Sequence, residues 1–179
     1  MKQTYIALLR GINVGGHKLP MKELARMFED AGCDEVRTYI QSGNALFTAD
    51  AALARRMPRL IGTAIRQQFD FDSPVIVRSE KELGEVVAAN PFAGPDVEEH
   101  ELHVAFLAGQ PSAAAVAKLD PDRSPPDEFA VHGREIYMRC PNGMARTKLT
   151  NAWFDRRLDT VSTMRNWRTT RKLLELAGG

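Results

Sequence analysis

Apolar and polar positions along the chain fall into two similar series of short runs. In the first series, T-Y-I-A-L-L is apolar at nearly every position and predicts a strand over residues 5–9. Pro20 then opens a helix, because its missing N–H is not needed in a first turn. Leu24, Met27, Phe28 and Ala31 fall on one face at helical spacing, and Gly32 ends the element. V-R-T-Y-I (36–40) and A-L-F-T (45–48) predict short strands around Q-S-G-N, where Gly43-Asn44 suits a hairpin turn that needs positive φ. Asp50 is placed to cap a second helix with the stripe Leu53, Leu60, Ile61, Ala64, Ile65 and Phe69. Pro58 is expected to kink or split that helix. P-V-I-V-R (74–78) closes the series.

The second series repeats the order. After a helix near 80–89 and the loop N-P-F-A-G-P-D come a strand (102–108), a helix (112–119) and the loop D-P-D-R-S-P-P-D. Two strands, E-F-A-V-H and E-I-Y-M-R, meet at Gly133, and a helix (150–158), a strand (160–164) and a terminal helix follow. Both halves read β-α-β-β-α-β, so the fold class is α+β: two tandem ferredoxin-like subdomains packed together. The expected division is 1–78, a helical linker and loop over 79–100, and 101–179 with the extra C-terminal helix.

That topology places chemistry. Strands 1 and 2 run one way and strands 3 and 4 the other, so the first strand's exit loop and the turn between strands 2 and 3 share one end of the sheet. Arg10, Asn13, His17 and Lys18 are therefore expected beside Gln41, Ser42 and Asn44. In the second half the same reasoning brings P-N-G-M-A-R-T-K (141–148) beside R-N-W-R-T (165–169).

Charge sharpens this picture only locally. The net charge is +1, which argues against a partner bound by the whole surface, but residues 146–172 carry eight basic and two acidic side chains. Residues 80–103 carry seven acidic side chains and one lysine. Solvated helix faces explain such runs as readily as an anionic partner does. No apolar run approaches the roughly 20 residues that span a bilayer, and no secretory leader is visible. Cys33 and Cys140 are isolated thiols without metal-knuckle spacing, consistent with a cytoplasmic protein.

R-G-I-N-V-G-G-H-K (10–18) is the densest motif. Gly11 and Gly16 have Walker A spacing, but Lys18 arrives one position late and Leu19 stands where a Ser or Thr is required, which argues against a P-loop. Gly15 and Gly16 still permit backbone N–H groups to converge on an anion, with Arg10 or Lys18 adding charge; the alternative is a turn that uses glycine for geometry alone. In R-N-W-R-T-T-R-K (165–172), Trp167 shares an apolar helix face with Leu173 and Leu174 and reads as core, while the cations oppose the helix dipole unless a carboxylate or anion sits there. No hydrolase elbow or Ser-His-Asp set is present; His17 alone falls in a cluster suited to acid–base work. His100 and His103, at a strand start, point to opposite faces and suit a metal poorly.

With T-Y-I-A-L-L-R-G-I-N-V-G-G (4–16), T-Y-I-Q-S-G-N (38–44), P-N-G (141–143), T-K-L-T-N (147–151) and T-M-R-N-W-R-T (163–169) in view, the chain resembles bacterial domain-of-unknown-function family 1697 over nearly its whole length. The resemblance implies two ferredoxin-like subdomains and marks Arg10, Gly11, Asn13, Gly15, Gly16, Gln41, Ser42, Gly43, Asn44, Lys148, Asn151, Arg165, Asn166 and Trp167, without supplying an activity. Met144-Ala145 stands where a glycine near the basic residue is expected. The reading of residues and family together is a protein that binds a small phosphate-bearing ligand or nucleotide through polar, basic loops, with no cofactor or metal. Its rivals are an enzyme acting on a small anionic metabolite, a single-stranded nucleic-acid binder (disfavoured because no aromatic pair marks the middle strands) and a structural or interaction domain.

Overall fold

A computed structural model describes residues 1–178. They form two compact units, Met1–Glu85 with Lys172–Gly179 and Val86–Arg171. The first holds β1 (Lys2–Leu9), α1 (Met21–Asp30), β2 (Asp34–Tyr39), β3 (Asn44–Asp50), α2 (Ala51–Phe69) and β4 (Val75–Ser79), and its four strands lie in the order β2-β3-β1-β4. The second holds β5 (Leu102–Leu107), α4 (Ala113–Val116), β6 (Glu128–His132), β7 (Glu135–Arg139), α5 (Asn151–Leu158) and β8 (Ser162–Asn166), in the order β6-β7-β5-β8. The helices α3 (Glu80–Ala88) and α6 (Trp167–Gly178) follow β4 and β8. Every strand pairing is antiparallel, and each order is that of a ferredoxin-like sheet. No described helix is long and apolar enough to cross a membrane.

The unbroken apolar runs of β1 and β5 follow from burial on both faces. Tyr5, Ala7 and Leu9 pack with Phe28 of α1 and Met57 and Ile61 of α2, while Ile6 and Leu8 on the other face are also fully buried. In the second unit Ala105, Leu107, Ile136 and Met138 meet Phe154 and Leu158 of α5, and Val104 and Phe106 are buried opposite. A strand covered on both sides has no reason to alternate.

The two units repeat down to register. Leu9 N donates to Gly43 O at 2.8 Å, as Leu107 N does to Arg134 O at 2.8 Å. Arg10 N donates to Pro74 O at 3.0 Å, as Ala108 N does to Val161 O at 2.8 Å. Arg78 stands opposite Ile6 as Arg165 stands opposite Val104, and both arginines are buried, at 2% and 7% exposure. In each case the guanidinium donates to the preceding residue's own carbonyl, Val77 at 3.1 Å and Met164 at 2.8 Å. The next residue in each case caps a helix that begins with no intervening loop: the Glu82 N–H donates to Ser79 Oγ and Thr169 N–H to Asn166 Oδ1. Each unit also buries one free thiol, Cys33 and Cys140, which burial pushes up to about 11.

Three expectations need correction. The helix α2 runs unbroken through Pro58. A proline inside a helix costs about 3 kcal/mol; here the flanking Met57 and Ile61 are buried in the core at 0% and 1% exposure, and that packing holds the helix together. The helix expected over 112–119 shrinks to Ala113–Val116, with Ser112 as its cap accepting from Ala115 N. The last strand lies two residues later than its apolar run suggests, at Ser162–Asn166, so Arg165 and Asn166 are strand residues rather than loop residues.

Candidate functional site

The exit of β1 is built by one side chain. Asn13, in the left-handed region at φ 57, accepts from Leu19 N at 2.9 Å and donates to Leu19 O at 3.1 Å and to Gln41 O at 2.7 Å. It thus closes its own loop and ties that loop to the β2–β3 turn. Short-range backbone bonds tighten the loop further: Asn13 N donates to His17 O at 2.7 Å and His17 N to Val14 O at 3.1 Å. Between them lie Gly15 and Gly16, at φ 57 and 92. A Cβ at either would meet nothing within 4 Å, and among the described residues their N–H groups donate no hydrogen bond, although the Gly16 carbonyl accepts from Lys18 N at 3.0 Å. These glycines serve positive φ and leave open backbone in front of them.

The facing turn is held as firmly. Asn44 is fully buried and donates to Tyr39 O at 3.1 Å and to Ser42 Oγ at 3.0 Å. A Cβ on Gly43 would come within 2.9 Å of Leu9 Cβ, so only glycine fits beside the strand. The positive φ expected of the Gly43-Asn44 pair falls instead on Gly43 and on Ile40, at φ 48. A β-branched residue in that region is a strained outlier, and such strain gathers at functional loops. Ile40 is 49% exposed, so burial does not explain it.

A third segment joins the same end. Since Val75 pairs with Leu9, the approach to β4 reaches the β1 exit, and Ser73 Oγ donates to Arg10 O at 2.8 Å. Phe71, buried at 7% exposure, lies face to face with the exposed His17 ring, with centroids 4.5 Å apart and planes 2° from parallel. Lys18, Gln41 and Ser42 are exposed and Arg10 is half-buried. Of the neighbourhood expected between Arg10, Asn13, His17 and Lys18 and the turn of Gln41, Ser42 and Asn44, the structure shows the Asn13–Gln41 bond, and sequence reasoning missed Phe71 and Ile40. The signal for Phe71 was available: the α2–β4 connection must arrive at the end of the sheet that β1 leaves.

The second unit places its marked residues differently. Arg165 Nη1 donates to Thr163 Oγ1 at 2.9 Å as well as to Met164 O, and burial pushes its guanidinium down to about 10. Asn166 caps α6, and Trp167 is buried. Asn151 lies 2.9 Å from Ser162 Oγ, which also bonds Asp155 at 2.6 Å. Lys148 is exposed, with its backbone N–H on Ser124 Oγ at 3.0 Å, and Ser124 in turn donates to Asp127 at 2.8 Å. The acidic segment answers part of the basic one through Arg171–Glu99 at 3.0 Å, and it also pairs with Arg139 of β7 through Glu101 at 2.9 Å. His103 Nδ1 lies 3.3 Å from Glu101 O, and burial lowers its pKa.

A family model described as a protein of unknown function (DUF1697) matches residues 1–137. Among solved structures, a conserved bacterial protein from Streptococcus pneumoniae superposes with a TM-score of 0.73 at 21% identity, covering 100% of both chains. At that identity it attests the fold alone. A glycine cleavage system transcriptional repressor, so described, aligns over 92% of this chain and 97% of its own, at 13% identity and a TM-score of 0.25, which carries no argument. No functionally curated protein matches the chain.

Proposed function

The chain belongs to this family, whose description assigns no activity, and we propose from the loop geometry that the protein binds a small phosphate-bearing ligand at the β1 exit. The observation that carries the reading is the pair of open glycine amides at Gly15 and Gly16, set in a loop that Asn13 has already fixed. Preorganised amides cost little to order when an anion arrives, because the loop entropy is spent on folding. Lys18 supplies a fixed charge beside them, and Gln41 and Ser42 offer donors from the facing turn, with Arg10 at the root of the loop. Asn13 and Asn44 are assigned to scaffolding, since their amide groups are already engaged by backbone. Arg165, Asn166 and Trp167 receive the same role in the second unit.

The test is amide-resolved. On adding phosphate, pyrophosphate or a phosphate monoester to 15N-labelled protein, the Gly15 and Gly16 resonances are expected to move together and saturate. Lys18→Ala should weaken that binding about tenfold, the size of one charge-assisted contact, and leave stability within about 0.5 kcal/mol. If neither resonance responds to any of the three compounds, the reading is wrong.

A further inference from the structure

Resting on that phosphate reading, we propose that the ligand is a mononucleotide whose base stacks on the outward face of His17. The imidazole is a fixed plane. Its inner face lies on Phe71 at 4.5 Å and 2°, and its backbone is bonded on both sides, N–H to Val14 O and C=O from Asn13 N–H. The residue is exposed, so the outer face of the ring meets solvent. A planar ring held parallel to a buried aromatic and bare on its other side is a stacking platform for a third ring. Histidine is among the side chains on which nucleic-acid bases stack.

The platform stands next in the chain to the open amides of Gly15 and Gly16 and to the Lys18 ammonium. One ligand touching all of them needs a phosphate and a planar ring within a few bonds of each other. A sugar phosphate has no such ring, and inorganic phosphate leaves the platform unused. Apolar surface nearby points the same way. Val14, 61% exposed, follows Asn13, and Ile40, 49% exposed, precedes Gln41, so both belong to the two segments that the Asn13–Gln41 bond joins. Large exposed apolar side chains on a strained turn beside a polar loop suit the edge of a base or a ribose better than bulk water.

The experiment compares adenosine 5′-monophosphate, ribose 5-phosphate and adenosine by calorimetry and by the Gly15 and Gly16 amide resonances. The nucleotide should bind about tenfold more tightly than ribose 5-phosphate, the difference one stacked base supplies. His17→Ala should abolish that preference, bringing the two affinities together, and His17→Phe should restore it. His17 is exposed, so both variants are expected to fold, which circular dichroism checks. Equal affinity for the two phosphates, each still moving the glycine amides, overturns the stacked base and leaves the phosphate reading standing. Adenosine binding as tightly as its monophosphate overturns the phosphate and with it the nucleotide. Binding by neither phosphate overturns both.

Discussion

The two units share strand order, register and a buried arginine in the same place, yet they are elaborated at opposite ends. In the first, eleven residues separate β1 from α1, from Arg10 to Pro20, and they carry the glycine loop. In the second, β5 reaches α4 across only Ala108 to Ser112, and the β6–β7 turn is just Gly133-Arg134. The exit of the third strand reverses this. In the first unit β3 ends on Asp50, which itself caps α2 at once, whereas in the second β7 gives way to the long loop 140–150 with Arg146 and Lys148 exposed. The two sheets are therefore one frame used twice, and what differs between the units is which connections are lengthened.

Matched substitutions test this contrast. The hairpin glycines should separate most. Gly43→Ala forces a left-handed alanine against Leu9 and is expected to cost about 3 kcal/mol, against about 1 kcal/mol for Gly133→Ala, where a Cβ meets open space. Urea unfolding of the two variants decides it, and equal losses would remove the claim that the first hairpin is built more tightly. The buried arginines should instead agree. Arg78→Met and Arg165→Met each remove a buried guanidinium's bond to a part-buried carbonyl and should each cost about 2 kcal/mol; a gap much larger than that would mean the register repeat hides different roles.

Asn13→Ala has no counterpart in the second unit. It should cost about 1.5 kcal/mol and raise hydrogen exchange at Leu19 and nearby loop amides, with the β1 amides still protected. The smallest effect is in acid. His103 occupies the position that Tyr5 holds in the first sheet, and burial favours its neutral form. The unfolded chain therefore binds this proton more readily than the folded one. The second unit should lose stability as pH falls below the ordinary imidazole value of about 6.5, with no contribution above it. His103→Gln should flatten the pH dependence of the unfolding midpoint between about pH 7 and 5.

Much of this was legible because it depends on period and order. Two β-α-β-β-α-β series, read from short apolar runs, suffice to bring the β1 exit loop to the β2–β3 turn, where Asn13 meets Gln41, since topology alone dictates which connections share an end. What stayed hidden depends on competition between local preference and packing. Nothing in V-R-T-Y-I announces that Ile40 turns left-handed, because β-branched residues ordinarily favour strands. Pro58 reads as a breaker until the buried residues around it are weighed. Arg165 reads as one more cation of the basic run R-N-W-R-T-T-R-K, while its strand parity aims it inward with Thr163. Asparagines are ambiguous by nature: the same amide that suits a phosphate also suits the backbone, and here the backbone holds it.

One native thiol in each unit makes the protein its own two-channel clock. Cys33 and Cys140 are buried, and with their pKa values near 11 almost none of either is thiolate at neutral pH, so an alkylating reagent reaches each only when its surroundings open. The modification rates at the two positions, separated by peptide mapping, would report how often each half opens without any engineered label. Slowing of the Cys33 channel alone on adding a nucleotide would place the stiffening in the half that carries the glycine loop.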